Sequence, residues 1–583
     1  MPLSHTFAMH GDGLYMFEEP HKPEEEGVWV RIAGRFEIVA TVSDPRDGGS
    51  YGLLITFIDE RGRNKQTVVS AASLQSASRE VCGRLSSLGL HIDRNCSNEV
   101  AEYLNREMQY ANSADIAMGP GWLGPRTFVL PTESFGAENH DHPIFYAGDD
   151  KEDYYRVSGT LEEWQQHIGV KCIGNSRLVL SVCCAFAGPL LRLTGAESGG
   201  VHLRGLSSLG KTTAQIVAGS VLGGGGPKGF ARSWNSTING LEAAASRKID
   251  SLLILDELKE VDPREAIKVV YMLANDIGKG RMNADGTQRH TNSWRLMLLS
   301  SGEISLETHA GATTQGGAHV RLMDLDADAG AGMGLFENLH GAPSPEAFAK
   351  QLKAASLTLC GTPFRLYLQV LCAMDAAARL EVIRDLQNDF LSACQLGIVS
   401  PEVGRVVSRM SLLAAAGELA TMMDITGWPQ GEAITQIKRC LDVYIAAHGG
   451  ATASHDERQM IAQVRAYIEQ NGQSHFAPIG NGYNGMMTML PTEPAPELIR
   501  DRAGYRRPSQ GADGGTEYLF CVETFRQKIC RGLDYRAVCK ALLAAGHLRR
   551  EEPNLTISAR LPGEKATSRF YCVLSSILTA EDD

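Results

Sequence analysis

The chain has 583 residues, 43% of them hydrophobic and 21% charged, with no compositionally simple tract; at roughly 100–200 residues per domain this is too much for one core and predicts about three to five units. A formal net charge of −12 and a pI of about 5.8 exclude a surface that is basic throughout, yet they leave room for a local basic channel, because screening acts within roughly 8–10 Å. Thirteen cysteines without a Cys-x-x-Cys pair point to reduced thiols in a cytoplasmic protein, and the first residues lack the basic and apolar regions of an export signal.

In chain order, an acidic arm, "FEEPHKPEEEG", is expected to be solvated. After it "VWVRIA", "FEIVATV", "GLLITFID" and "KQTVVSA" alternate with turn signals and predict an antiparallel meander. Helices are expected near 76–88 and 97–109, so residues 1–115 read as a β-rich α+β domain and 116–170, with its Gly/Pro-rich "MGPGWLGPRTFVLP", as a connecting segment. The apolar run 178–193 contains Pro189 and is bracketed by Arg177 and Arg192; it is too short for a membrane span and reads as a buried core helix. Residues 171–345 follow the pattern of an α/β core whose strands are apolar on both faces, as a covered parallel sheet requires. A helical subdomain is expected over 346–450, a helix and irregular linker over 451–517, and a small module of two helices and two pairing strands, read as a winged helix, over 518–583.

The chemistry lies in the core. "VHLRGLSSLGKTTAQIV" places a strand before Gly205-x-x-x-x-Gly210-Lys211-Thr212 and a helix after it. Backbone N–H groups across Gly205, Ser207, Ser208, Gly210, Lys211, Thr212 and Thr213 would face the phosphates of ATP, with the helix dipole assisting. Lys211 would neutralise the β/γ-phosphates and the Thr212 hydroxyl would ligate Mg²⁺. The strand "SLLILDE" ends in Asp256, a second Mg²⁺ ligand, and Glu257, which would orient and deprotonate the attacking water; the alternative is a pair of helix-capping acids. A third strand, "WRLMLLSSGE", ends in Ser300 and Ser301, and Ser301 is the candidate γ-phosphate sensor, unless both are ordinary turn serines. Arg321, at the start of the apolar strand in "GAHVRLMDLDAD", stands where an arginine could complete a neighbouring subunit's site; a plain surface arginine is the alternative.

Two stretches are basic. Lys279, Arg281, Arg289 and Arg295 stand against Asp285 alone within 279–295, and "KGRM", Asn283-Ala-Asp-Gly286 and "TQRH" predict a hairpin from turn chemistry. Residues 522–570 hold ten Lys/Arg against five Asp/Glu, with Arg536 and Lys540 on the exposed side of the expected recognition helix, suited to DNA or to a protein partner.

Residues 160–430, including "GTLEEWQQHIG", "VHLRGLSSLGKTTAQIVAGSVLG", "LLILDE", "VYMLANDIGKGRMNADG", "WRLMLLSSGEISL" and "ELATMMDITGWPQGEAI", resemble an AAA+ P-loop ATPase family of phages, plasmids and integrative elements known as inactivated superfamily II helicase derivatives. That family is related to the MCM-like self-loading helicases of staphylococcal cassette chromosomes. The resemblance implies an AAA+ P-loop ATPase core with a parallel sheet and helical lid, between the β-rich α+β domain and the winged helix, working as a hexamer that uses ATP and Mg²⁺ to move on DNA. Gly205, Lys211, Thr212, Asp256 and Glu257 are all present, so the word "inactivated" does not fit this chain. Members stand fused or adjacent to primase domains, which implies a primase or replication initiator as partner; no primase signature occurs in the first 120 residues, and no membrane is implied. The resemblance makes Arg321 the candidate arginine finger and Arg405 or Arg409 the second sensor, with Arg409 counted among the ATP ligands. It also sends the 279–289 hairpin into the ring channel, where Lys279, Arg281 and Arg289 would hold DNA phosphates; a hairpin that is merely solvated is the alternative. The function expected is thus an ATP-dependent helicase or translocase of a mobile element, and the alternative is a nucleotide-switched assembly or loader ATPase acting on a protein partner.

Overall fold

A computed structural model describes residues 6–20, 26–46, 49–93, 95–148, 154–224, 230–280, 292–310, 317–452, 455–479, 501–509, 515–561 and 566–579. The chain forms two compact units, residues 1–395 with 407–441, and residues 396–406 with 442–583. All thirteen cysteines are free thiols.

In the first unit the N-terminal strands divide between two sheets. Glu37–Asp44, Gly49–Ile58 and Asn64–Ser70 form the expected antiparallel meander. Val28–Gly34 departs from it. It pairs instead with Gly13–Glu18, which pairs with Thr6–Met9 in a separate three-stranded sheet. The start of the acidic arm is therefore structured: Leu14 and Met16 point into the core while Tyr15 and Phe17 alternate outward, and Glu18 ends the strand. Helices Ser78–Ser87 and Ser97–Glu107 cover this core with Val81, Leu85, Val100 and Leu104. The expected connecting segment is also more ordered than its Gly/Pro content suggested. Ser113–Ala117 and Ile144–Tyr146 extend the meander sheet in parallel, and Gly121–Gly124, Thr127–Leu130 and Glu133–Phe135 make a small antiparallel sheet.

The central sheet has five parallel strands in the order Arg232–Ser233, Ser251–Asp256, Leu296–Gly302, Gly199–Arg204, Leu322–Asp326. The chain is thus mixed α/β with a parallel sheet. Because every strand runs the same way, all five carboxyl ends open on one edge, where ligands of such sheets bind. The helix Ser176–Thr194 lies behind the sheet. It is the one helix among the described residues that is long and apolar enough to cross a membrane, and 83% of it is buried inside the protein. Leu180, Val182, Phe186 and Leu190 are fully enclosed, each stabilising the fold by roughly 1.5–3 kcal/mol. Gly188 lets this helix touch the sheet, since a Cβ there would fall 2.6 Å from the backbone of Ser251. Pro189 leaves its carbonyl to accept the Trp122 indole N–H at 2.9 Å.

Five helices follow the sheet, Pro345–Thr358, Thr362–Ala373, Ala376–Cys394, Pro401–Met422 and Glu432–Ala447. Buried Glu418 fixes one junction by accepting N–H bonds from Gly431 (2.9 Å) and Ile434 (3.1 Å) at the start of the last of them.

The second unit contains the helix His455–Asn471 and a sheet ordered Phe476–Pro478, Gly504–Pro508, Thr516–Cys521, Ser568–Leu574, Leu548–Arg549, with Ile557–Ala559 also paired to Ser568–Leu574. The boundary expected at 517–518 falls inside the strand Thr516–Cys521, and Gly504–Pro508, expected to be linker, is its antiparallel neighbour. Val464 and Ile468 of the helix expected to stand with that linker share a core with Phe520, Val538, Leu542 and Tyr571. The physical reason is burial: Phe476, Ala503 and Tyr505 have apolar partners that the surrounding Pro and Gly residues conceal in a linear reading. The helix Tyr535–Ala544 begins where expected, with Asp534 accepting from the Arg536 N–H at 3.2 Å, and Leu548–Arg549 pairs with Ser568–Leu574.

Candidate functional site

The glycine-rich loop leaves the carboxyl end of the Gly199 strand, anchored by the Gly205 N–H on the Gly302 carbonyl at 3.1 Å. Ser208 (φ 70°) and Gly210 (φ 98°) are left-handed, which curls the loop back before the helix Lys211–Leu222. Gly210 has a second reason to be glycine, since a Cβ would come within 3.3 Å of Leu335 and 3.4 Å of the Phe336 ring. Leu335 itself donates its N–H to the Leu209 carbonyl at 2.8 Å, so the segment after the sheet clamps the loop. The Lys211 ammonium lies inside the curl, donating to the carbonyls of Gly205 (2.5 Å) and Leu206 (2.7 Å).

Across from the loop the Ser251 strand delivers Asp256 and Glu257. Asp256 Oδ1 accepts a short hydrogen bond from the Ser301 hydroxyl, which the register of the adjacent strand sets beside it. Glu257 is left-handed (φ 64°), an uncommon conformation for a residue with a side chain, and follows the last strand residue directly. Glu303, one step beyond the Leu296 strand, accepts from Lys259 and from the Ser207 hydroxyl (2.9 Å), and the Lys259 bond leads in holding its carboxyl below the usual range. Burial pulls the Lys211 pKa down, and the carboxylates of Glu257, Glu303 and Asp256 oppose that pull.

These groups line a cleft of about 490 Å³ whose walls are Ser207 to Thr213, Asp256, Glu257, Gly302, Glu303, Met333, Phe336, Pro345, Glu346, Ala349, Lys350 and Lys353. It therefore brings together Ser207, Ser208, Gly210, Lys211, Thr212, Thr213, Asp256 and Glu257 of the expected residues, with Gly205 and Ser301 held to them by the bonds above. Hard oxygen donors, the Thr212 hydroxyl and the Asp256 carboxylate, share this cleft with an ammonium, a donor set that suits Mg²⁺ bound with phosphates. Sequence reasoning missed Glu346, Lys350 and Lys353, which come from the helix Pro345–Thr358, and gave Glu303 no role.

Beneath the cleft a fully satisfied polar chain ties the strands. The Ile304 carbonyl can only accept, so His202 carries its proton on Nε2 and donates at 3.1 Å; the Trp234 indole can only donate, so the Ser300 hydroxyl oxygen accepts from it (2.9 Å) and gives its own hydrogen to His202 Nδ1 (2.9 Å). Burial pushes the His202 pKa down to about 4.

The remaining expected residues lie elsewhere. Arg321 ends a short helix, Ala318–Arg321, before the Leu322 strand, with its guanidinium 4.6 Å from the centre of the Tyr271 ring and donating to the Gly317 carbonyl at 3.1 Å. It is thus at the amino end of a parallel strand, away from the cleft in its own chain. Arg409, expected among the ATP ligands, donates to the Val320 carbonyl and packs against Gly199 at the start of its strand. That too is the amino-terminal edge, so Arg409 does not line this cleft; Arg405, on the same helix, is exposed. Lys279 is exposed, next to an antiparallel pairing in which the Gly278 N–H bonds the Asn292 carbonyl (2.8 Å) and the Trp294 N–H the Asp276 carbonyl (2.9 Å). Arg281 and Arg289, with the turn of the expected hairpin, lie outside the described residues. Arg536 and Lys540 are exposed, opposite the buried Val538, Cys539 and Leu542 of their helix.

Comparison with known proteins gives likenesses to a family profile and to solved structures. The profile of a family described as a domain of unknown function, DUF927, matches residues 7–293. A solved structure described as "SCCmec type IV Cch - active helicase" superposes with a TM-score of 0.69 at 18% sequence identity, covering 98% of this chain and 98% of that one. The fold is thus similar to that of a helicase along essentially the whole chain. No curated protein matches the sequence.

Proposed function

We propose that this chain is an ATP-dependent DNA helicase or translocase of the AAA+ P-loop class, acting as a homo-hexameric ring and related to the MCM-like helicases of mobile elements. The observation behind this reading is the convergence of Lys211, Thr212, Asp256 and Glu257 on one cleft at the carboxyl edge of a parallel sheet, in a fold similar to that of a helicase. In this reading the backbone N–H groups of the Gly205–Thr213 loop cradle the phosphates of ATP. Lys211 exchanges the loop carbonyls it now bonds for β/γ-phosphate oxygens. Thr212 and Asp256 would hold Mg²⁺, which would supply charge neutralisation for the phosphates. Glu257 accepts a proton from the attacking water, and Ser301 reports the γ-phosphate through its bond to Asp256. Arg321, away from the cleft of its own chain, serves a neighbouring subunit, and the exposed cations Lys279, Arg536 and Lys540 meet DNA.

The test is ATP hydrolysis by the purified protein with and without single-stranded DNA. The motor reading expects hydrolysis that rises severalfold on adding the strand. Hydrolysis indifferent to DNA but raised by a protein partner would replace it with an assembly ATPase.

A further inference from the structure

We infer that Lys350 and Lys353, on the helix Pro345–Thr358, are a second set of phosphate ligands for the nucleotide, lining the same cleft from an element separate from the glycine-rich loop; this rests on reading the cleft as a nucleoside-triphosphate site. The helix is set firmly. Ser344 caps it by accepting the Ala347 N–H at 3.2 Å, and Pro345 occupies its first turn. Phe348, Leu352 and Ser356, four residues apart, are buried along one face, and the Phe348 ring meets Phe336 edge-on at 5.0 Å between centroids. That packing fixes the roll of the helix. A second stripe, Glu346, Ala349, Lys350 and Lys353, then shares another face by helical spacing, and all four line the cleft.

Charge is the reason these lysines are needed. Asp256, Glu257, Glu303 and Glu346 line the cleft against Lys211, Lys350 and Lys353. Without the helix, which itself carries Glu346, one ammonium would face the three carboxylates of Asp256, Glu257 and Glu303, and a polyanionic triphosphate entering there would meet net repulsion. The helix brings two ammonium groups against the one carboxylate of Glu346 and so reduces the net negative charge of the lining, and because these lysines belong to a different element from the loop, a bound triphosphate bridges the two. The selectivity expected is for the phosphate chain rather than for the base.

The experiment measures binding of a non-hydrolysable ATP analogue with Mg²⁺, and of adenosine alone, to the full chain and to three variants of matched thermal stability: Lys350→Ala with Lys353→Ala, Lys350→Arg with Lys353→Arg, and Lys211→Ala. Loss of about tenfold or more in analogue affinity in the double alanine variant, with adenosine affinity held and the arginine pair within about threefold of wild type, is the expected result. A double alanine variant that binds the analogue like wild type, while Lys211→Ala does not, overturns this inference and leaves the triphosphate site standing. A wild-type chain that binds no analogue removes the site and the inference together.

Discussion

The Ser301 hydroxyl donates to Asp256 Oδ1 across two neighbouring parallel strands, so a sensor candidate and a metal-ligand candidate that lie 45 residues apart in sequence are one hydrogen-bonded unit. Ser301→Ala keeps the strands, since the ladder that pairs it with Leu203 is made by backbone groups, but frees one carboxylate oxygen. A hydrogen bond to a charged group contributes about 1.5–3 kcal/mol, so hydrolysis should fall by about tenfold or more while ATP affinity changes little. Steady-state rates beside equilibrium binding check this, and equal losses in both would make Ser301 a folding residue.

Lys211→Ala and Glu257→Gln should separate binding from chemistry. The first removes the ammonium from the curl of the loop, and nucleotide should be held weakly. The second leaves the loop intact, and ATP should stay bound while turnover drops by about 10²–10⁴-fold, the range of a general base. Hydrolysis by Glu257→Gln near the wild-type rate would transfer the role of base to another group.

Arg321→Ala should act between subunits. Mixed with Lys211→Ala chains, it should recover part of the hydrolysis at junctions where an intact loop meets an intact arginine. Because Arg321 also covers Tyr271, the control is an unchanged melting temperature. Absence of recovery at every mixing ratio, in rings verified to be mixed, would confine the arginine to its own chain.

Lys279→Ala should weaken single-stranded DNA binding uniformly across sequences, because phosphates carry no base information. The slope of log affinity against log salt should shrink by about 0.7 for this one contact, and by about three times that when Arg281 and Arg289 are also replaced. An unchanged slope in the triple variant would relegate this stretch to a solvated turn.

The pH dependence of stability follows from His202. Its folded pKa, about 4, lies below the ordinary 6.5, so between those values the unfolded chain binds the extra proton and the folded one does not. Stability is complete above pH 6.5 and is lost as pH falls towards 4, by roughly 3 kcal/mol in all. His202→Gln should be less stable than wild type at pH 7, and the gap should narrow as the solution is acidified. Melting temperatures of the two proteins at pH 7 and pH 4.5 check this; a constant gap would mean that His202 does not titrate in this range.

Much of the cleft was readable in advance because the loop, the carboxylate strand and the serine strand are local patterns: each needs only a strand and the residues that follow it. The buried helix at 176–194 was readable for the same reason, its apolar run being a local pattern that calls for burial. What escaped depends on partners distant in sequence. Val28–Gly34 fits a meander as well as it fits the Gly13–Glu18 strand, and only packing chooses. Phe476 and Tyr505 sit among prolines and glycines that conceal their burial. Lys350 and Lys353 have the spacing of any solvated helix face until Phe348 and Leu352 fix which way that face turns. Arg409 was assigned by its distance along the chain, and the fold carries its helix to the other edge of the sheet.

The strand Leu296–Gly302 is seven residues long and has a parallel partner on each side. Ser301, beside the cleft, is near one end; the other end begins two residues after Trp294, where the chain pairs with Asp276 just ahead of Lys279. An extended segment held by ladders on both flanks can neither shorten nor bend appreciably, so it behaves as a push rod of roughly 20 Å. In a chain that works as proposed, a displacement of this strand at its serine end would carry its other end, near Lys279, along with it, with no relay of side chains between them.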